Sequence, residues 1–261
     1  ILNMFYGVVV NAARAVAIQV QNAVGRFVGD FMTALNPQIT KEYAAGNREK
    51  SVELCNRGAK LSYYIMLILA IPIGIRAGEI LHLWLDEYPD FSVPFLRFTL
   101  AISMVGVLSQ SFVTELLASG NLKKTTWWIG GTRLIVLPMI YACFVWFDSP
   151  LYAYIVVLVM DTILFFVRLR LLDDVVGLPV LGLFMREVFI RVFIVSLTSF
   201  LFSMIAHMIV PTSIWGMLLY GIVSVACTSG CLLLFGLNKA ERVVIRSYVM
   251  GKFNGLKWRK I

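Results

Sequence analysis

The sequence predicts an all-α fold, a polytopic bundle of transmembrane helices, and three observations lead to it. First, 59% of the 261 residues are hydrophobic and only 15% are charged, whereas soluble domains carry about 45–50% apolar and about 25% charged residues. Second, apolar stretches recur along the chain at the length that a spanning helix needs, about 20 residues. Third, the basic residues lie between alternate stretches, as membrane topology requires.

Seven complete spans are predicted after a shorter first segment. Residues 1–10 are apolar, but as a helix they rise only about 15 Å, half of a ~30 Å hydrocarbon core. We therefore expect a truncated first helix and a chain that is a fragment of a longer protein. Turn signals such as Asn36-Pro37 and Asp148-Ser149-Pro150 separate the later stretches. The predicted spans are residues 13–36, 58–78, 94–118, 125–147, 150–168, 188–210 and 213–237.

Two segments are predicted to lie outside the spans. Residues 169–187 mix Arg and Asp with Leu, Val and Phe, a composition that predicts an interfacial cytoplasmic connection along the membrane surface. This connection would precede two additional transmembrane helices within residues 188–237. Residues 238–261 form a basic tail with scattered aromatic residues, which predicts a cytoplasmic surface segment on anionic lipid rather than on nucleic acid.

The distribution of basic residues supports this topology. If the segment after Pro37 is cytoplasmic, nearly all of the 23 Lys and Arg residues fall in cytoplasmic connections or in the tail. The exceptions are Arg76, in an outer loop, and the four arginines within spans. Cytoplasmic loops carry an excess of Lys and Arg, so the pattern predicts a cytoplasmic C-terminus. The outer loop 79–90 is acidic instead.

Ionisable side chains within a span are costly, about 2.5–3.5 kcal/mol each, and therefore mark candidate functional positions. The predicted spans contain seven such residues: Arg14, Arg26, Asp30, Arg97, Glu115, Arg133 and Asp161. Such groups face a bundle interior or a water-filled cavity, and they pair with one another where they can.

The first complete span carries a polar stripe. At about 100° per residue, polar side chains along its whole length fall within a sector of about 120°. These are Asn11, Gln19, Asn22, Arg26, Asp30, Thr33 and Asn36. A helix cannot present such a face to lipid, so the stripe must meet protein or a wet cavity.

Two interpretations of the stripe remain open. Arg26 and Asp30 are four residues apart, so they could neutralise each other and join helices. Alternatively, the stripe is a cavity wall, where Arg14 and Arg26 attract an anion and Gln19 and Asn22 bind polar groups. A second pair follows from depth, because Arg133 and Asp161 lie about 11–12 Å from the cytoplasmic ends of adjacent antiparallel spans. This pair would be a structural salt bridge or a gate.

No catalytic, cofactor or metal motif accompanies these charges. The sequence contains no P-loop, no GxSxG, no GxGxxG after a strand and no metal-spaced His or Asp cluster. The four cysteines form no CxxC pair, so neither a disulfide framework nor a zinc site is indicated. We therefore expect no enzyme activity, no cofactor and no nucleic-acid partner.

Four segments resemble a known family. Residues 11–19 (NAARAVAIQ), 31–39 (FMTALNPQI) and 43–47 (YAAGN), followed by Trp84-Leu85 in an acidic outer loop, resemble the polysaccharide and lipopolysaccharide O-antigen flippases (Wzx-like). These share a superfamily with the multidrug and toxic-compound extrusion (MATE) transporters. The resemblance implies that residues 1–168 are a MATE-like C-terminal transport lobe, from the end of helix 7 to helix 12.

The resemblance also implies a function. It would be the transfer of an undecaprenyl-diphosphate-linked oligosaccharide from the cytoplasmic to the periplasmic leaflet of a bacterial inner membrane. The partners would be membrane lipids, the lipid-linked oligosaccharide and an N-terminal lobe of the same protein. Three alternatives stay open: a multidrug or cation antiporter of the MATE type, a membrane enzyme of polysaccharide assembly, and a structural or assembly subunit.

Overall fold

In the computed structural model the described residues, 2–120, 122–238 and 241, form helices joined by short connections. Regular structure in this part of the chain is entirely helical, as the sequence predicts. The α-helices are α1 Leu2–Ala44, α2 Arg48–Ile75, α3 Ala77–Leu85, α4 Ser92–Ala118, α5 Leu122–Trp146, α6 Leu151–Val176, α7 Val180–Phe184, α8 Ile190–Ile209 and α9 Ile214–Cys231. Two π-helical turns, Met185–Phe189 and Leu232–Gly236, join α7 to α8 and extend α9.

Five helical segments in the described part of the chain are long and apolar enough to cross a membrane, which indicates a multi-pass membrane protein. Two other helices, α1 and α6, hold the predicted spans 13–36 and 150–168 but are not among these five. Both contain ionisable side chains that the sequence singled out, Arg14, Arg26 and Asp30 in α1 and Asp161 in α6. The five segments are Arg48–Ile75, Ser92–Ala118, Thr126–Trp146, Val180–Ile209 and Ile214–Gly236.

The start of the chain differs from the prediction. The sequence predicts a truncated first segment, residues 1–10, and a separate span, residues 13–36, but the helix continues from one to the other and its irregularity lies at Gly7. Gly7 has φ 77° and ψ −173°, a conformation that glycine adopts without the Cβ clash that other residues suffer. The polar groups of Asn11 and Arg14 therefore belong to the same long helix as Asp30.

The predicted connection over residues 169–187 is also shorter than expected. Helix α6 continues to Val176, and α7 begins at Val180, so only three residues lie between the two helices. Gly177 ends α6 with φ 76°, the left-handed conformation that favours glycine after a helix. Leu172 and Phe184 are fully buried in the core, so part of this segment packs into the bundle.

Helix α4 lies at the centre of the bundle and packs against α1, α2 and α6. Buried side chains form two main clusters. One contains Val24, Val28, Phe95 and Leu96 and joins α1 to α4. The other contains Phe112, Phe165 and Phe184 and joins α4 to α6 and α7, with the Phe165 and Phe184 ring centroids 5.1 Å apart. Helix α5 packs mainly on α6, and α8 on α9.

Most of the predicted basic tail, residues 238–261, lies outside the described residues. Its described acidic residue, Glu241, contacts the bundle. Lys60, in the middle of α2, donates from Nζ to both carboxylate oxygens of Glu241 at 2.7 Å. Burial acts to raise the pKa of Glu241, but the hydrogen bonds from Lys60 and from the backbone N–H of Asn238 outweigh it and lower that pKa.

Candidate functional site

The polar stripe of α1 lies on the open side of the helix. Small and apolar residues spaced along the opposite face are buried against the bundle, among them Ala13, Ala17, Val24 and Val28. The stripe residues Gln19, Asn22, Arg26 and Asp30 are exposed. Packing of the small face is what fixes the rotation of α1, since burying apolar surface is favourable and burying unpaired charge is not. The stripe is therefore not covered by any described helix.

Part of the stripe borders a polar cleft of about 770 Å³. The cleft lies along α4 and is closed on its sides by α1, α5 and α6. Helix α1 contributes Gln21, Asn22 and Arg26. Helix α4 forms the floor with polar and small side chains, including Ser103, Gly106, Ser109 and Gln110. A volume of this order is typical of small-molecule sites, about 300–1,000 Å³.

Three arginines line the cleft, one from each of three helices: Arg26 from α1, Arg133 from α5 and Arg168 from α6. No carboxylate is among the described residues that line it. Each guanidinium carries five N–H donors and remains charged in proteins. Three such groups around one open space attract anions, and they do so more strongly where the surroundings exclude water.

The three arginines differ in how they are held. Arg133 forms an ion pair with Asp161, Nη2 to Oδ1, at 2.8 Å, so the pairing predicted from equal depth is present. Arg168 donates from Nη1 to Ser109 Oγ at 2.7 Å, and its Nε has no partner in the described part of the chain. Arg26 has no hydrogen bond or ion pair with any described residue. Arg26 thus has all its donors free for a ligand.

Neutralisation of Arg26 by Asp30, one of the two interpretations of the stripe, is not present among the described residues. No ion pair within 4 Å joins these two described residues, although their spacing allows one. Asp30 and Gln19 are exposed and line neither this cleft nor the cavity described next. Of the four stripe residues considered for binding, Asn22 and Arg26 therefore border the cleft, and Gln19 and Asp30 do not.

Arg14 borders a second, smaller cavity of about 360 Å³, nearer the start of α1. This cavity is largely apolar, with Thr99 and Tyr154 as further polar groups. Gln21 lines both spaces. Arg14 and Arg26 are twelve residues apart, about 18 Å along a helix, so they serve two separate spaces along one side of α1.

Sequence reasoning missed several residues of the cleft. Arg168 was assigned to a cytoplasmic connection, because it lies at the end of an apolar stretch, but α6 continues past it. Gln21 falls outside the polar sector of the first span, and in the span that holds Ser109 and Gln110 only the ionisable residues were selected. A helical-wheel analysis of α4 could have found Gln110, since Ser103 and Gln110 are seven residues apart and share one face.

The described residues contain no group of three or more His, Cys, Asp or Glu that could hold a metal. Their four cysteines are all free thiols. The fold and the cleft together define the class: a multi-pass helical membrane protein with a cationic, open cavity. No protein-family model, no curated protein and no solved structure matches the chain.

Proposed function

We propose that this chain is part of a membrane transporter, a flippase, that moves a lipid-diphosphate-linked oligosaccharide from the cytoplasmic to the periplasmic leaflet. One observation carries the proposal: Arg26, Arg133 and Arg168, from three different helices, line one open cleft that has polar uncharged groups beside them. Such a lining suits a cargo with a charged diphosphate and a neutral, hydroxyl-rich sugar.

The chemistry of the cleft matches the two polar parts of that cargo. Arginine binds phosphate oxygens through two parallel N–H donors, and these charge-assisted bonds are roughly twice as strong as neutral ones. Asn22, Gln110 and Ser109 offer amide and hydroxyl groups that both donate and accept, as sugar hydroxyls require. The hydrocarbon tail of the cargo would stay in the bilayer, where it gains nothing from a polar cavity.

The open stripe on α1 supports transport by two lobes. A row of exposed amide and charged side chains along a membrane helix needs a hydrated or protein neighbour. The resemblance supplies a candidate, an N-terminal lobe of the same protein. With such a lobe opposite α1, rocking of the two lobes would open the cleft alternately to each side of the membrane. On this proposal the chain forms a MATE-like lobe of seven spans with a cytoplasmic C-terminus.

A cation exporter on the same fold would use a different lining. It would need carboxylates and aromatic rings facing the cargo, whereas the charged residues that line the cleft are arginines. A membrane enzyme would need a nucleophile or an acid–base pair within hydrogen-bond reach of each other. The sign of the charge in the cleft therefore favours an anionic cargo.

The proposal is tested with Arg26→Ala in the full-length protein. We expect the initial rate of transfer of a fluorescent undecaprenyl-diphosphate-linked sugar in proteoliposomes to fall about tenfold or more, because a hydrogen bond to a charged group contributes about 1.5–3 kcal/mol. Protein level and the thermal midpoint should be unchanged, because Arg26 contacts no described side chain through a polar bond.

Arg170→Ala is the matched control, since Arg170 is exposed on the same bundle but does not line the cleft. Normal transfer by the Arg26 variant would sink the proposal. Faster efflux of a cationic dye by the same variant, with no transfer of the lipid-linked sugar by the parent protein, would favour the exporter instead.

A further inference from the structure

A second large cavity lies between α2, α4 and α8, on a different face of α4 from the arginine-lined cleft. Its volume is about 700 Å³. Most of its lining is apolar, with Ile71 from α2, Leu100 and Met104 from α4, and Phe193 and Phe200 from α8. On the α4 wheel these groove positions are centred roughly 120° from Ser103 and Gln110 at about 100° per residue. The groove and the cleft are thus separate sites.

One end of the groove is polar and basic. Arg97, from α4, and His207, from α8, both line it. Arg97 donates from Nε to the carbonyl of Gly74 at 2.9 Å and from Nη2 to that of Ile75 at 3.3 Å. These bonds fix the guanidinium at the end of α2. They leave its Nη1 donors without a partner in the described part of the chain, so the cation can still bind a ligand.

His207 adds a second donor at the same end. Its Nδ1 accepts a hydrogen bond from Arg76 Nε at 3.2 Å. An imidazole whose Nδ1 accepts carries its proton on Nε2 and can donate from there. The end of the groove therefore offers a fixed positive charge and a neutral donor, a combination suited to the phosphate of a lipid whose headgroup is anionic.

The length of the groove matches one leaflet of a bilayer. Along α4 the lining runs from Arg97 to Met104, about 10 Å, and along α8 from Phe193 to His207, about 21 Å. Half of a ~30 Å hydrocarbon core is about 15 Å. An acyl chain that starts at the headgroup level beside Arg97 would thus fill the apolar part of the groove down to the middle of the membrane.

We propose that this groove is a binding site for a phospholipid with an anionic headgroup, whose phosphate contacts Arg97 and His207 and whose acyl chain lies between α2, α4 and α8. The site goes beyond the transport proposal and does not depend on it. Because the lipid would touch both α4 and α8, its occupancy would hold the α8–α9 pair against the rest of the bundle.

The test uses the purified full chain in detergent, titrated with palmitoyl-oleoyl phosphatidylglycerol and, separately, with the matching phosphatidylcholine, and observed by native mass spectrometry. We expect one tightly bound phosphatidylglycerol. Arg97→Gln should weaken its binding about fivefold, since a basic residue near a membrane surface contributes about 1 kcal/mol toward an anionic lipid. Phosphatidylcholine binding should weaken less, because its choline group offsets the charge of its phosphate.

Ala101→Phe provides an independent variant, because Ala101 lines the apolar part of the groove and a larger side chain would occupy the acyl-chain space. It should weaken binding of both lipids. Arg170→Gln, outside the groove, should bind phosphatidylglycerol as the parent does. Unchanged phosphatidylglycerol binding by both groove variants would overturn the proposal. So would displacement of the bound lipid by a fluorescent undecaprenyl-diphosphate sugar, which would assign the groove to a cargo tail.

Discussion

Arg76 shows how one residue can join three parts of the bundle. Its side chain is almost fully buried, and its Nη2 and Nη1 donate to the carbonyls of Val210 and Pro211 at 2.6 and 3.1 Å. Its Nη1 also lies 3.1 Å from a carboxylate oxygen of Glu79, and its guanidinium lies over the ring of Tyr220. A basic residue assigned to an outer loop thus holds the turn after α2 to the α8–α9 connection.

Arg76→Ala is expected to lower the stability of the protein by about 3 kcal/mol, because it leaves the partly buried carbonyls of Val210 and Pro211 without their donor and the Glu79 carboxylate without its counter-charge. Thermal unfolding in detergent measures this loss. Arg57→Ala is the matched control, since Arg57 forms an exposed i,i+4 pair with Glu53 that is worth about 0.3–0.5 kcal/mol. Equal unfolding temperatures for the two variants would contradict the role of Arg76.

The Lys60–Glu241 pair makes stability depend on pH. The pKa of Glu241 in the folded protein lies below its ordinary value of 4.5. A carboxylate with a lowered folded pKa stabilises the protein above the unfolded value, and this contribution is lost as pH falls through the folded value. Glu241→Gln should therefore destabilise the protein near neutral pH by about 3 kcal/mol, because Lys60 stays buried without its partner.

The difference between parent and Glu241→Gln should shrink below pH 4.5, since protonated Glu and Gln are then both neutral. Thermal unfolding of both proteins at several pH values measures it. Glu53→Gln, which alters an exposed pair, should show no comparable dependence. A destabilisation by Glu241→Gln that stays constant down to acid pH would contradict this role of the carboxylate.

At the scale of elements, glycines decide how closely the helices meet, but not where the sequence pattern suggests. Gly25 and Gly29 form a GxxxG step, yet a Cβ added at either position meets nothing within 4 Å. The close approach lies at Gly58 of α2 instead, where an added Cβ would collide with the side chain of Leu35 from α1 and lie 3.3 Å from Ser111 of α4. Gly58 is thus the point where α1, α2 and α4 converge.

Gly58→Val is expected to destabilise the bundle by about 1–3 kcal/mol, since added methyl groups in a packed contact force neighbouring helices apart. Gly29→Ala should instead stabilise the bundle by about 0.5–1 kcal/mol, because alanine loses less backbone entropy on folding than glycine does and position 29 is on an open helix face. Unfolding in detergent compares the two variants. A Gly58 variant as stable as the parent would mean that the three helices do not meet there.

At the scale of the whole molecule, the charge pattern sets which side of the membrane each connection faces. The short turn after α1 has basic residues on both sides of it, Lys41 and Arg48. The connection between α3 and α4 has the acidic residues Asp86, Glu87 and Asp90. From the positive-inside rule we predict that the first lies in the cytoplasm and the second outside.

Cysteine labelling tests this topology in intact spheroplasts. A membrane-impermeant maleimide should label His82→Cys directly, because this side chain is exposed near the end of α3, and should label Asn47→Cys only after permeabilisation. The parent protein is the control, since Cys55 and Cys231 are buried and Cys143 and Cys227 are half-buried within helices. The reverse order of labelling would invert the proposed orientation.

The sequence by itself determined the all-helical class of structure and indicated the membrane as its environment. Apolar stretches of bilayer length have one stable solution, helices that satisfy their own backbone groups, and most residues of each predicted span are helical in the structure. Equal depth from the same surface was also sufficient to pair Arg133 with Asp161, because a buried charge needs a counter-charge at its own level.

Only the tertiary structure decided which helix faces meet. Hydrophobic periodicity placed Arg26 and Asp30 on one stripe, but it could not show that the stripe is left open or that Arg168 reaches the same cleft from α6. Nor could it show that the Arg76 side chain turns inward and donates to the carbonyls of Val210 and Pro211, in the connection between α8 and α9. Sequence spacing fixes positions along and around one helix, whereas a site shared by several helices depends on how side-chain shapes pack between them.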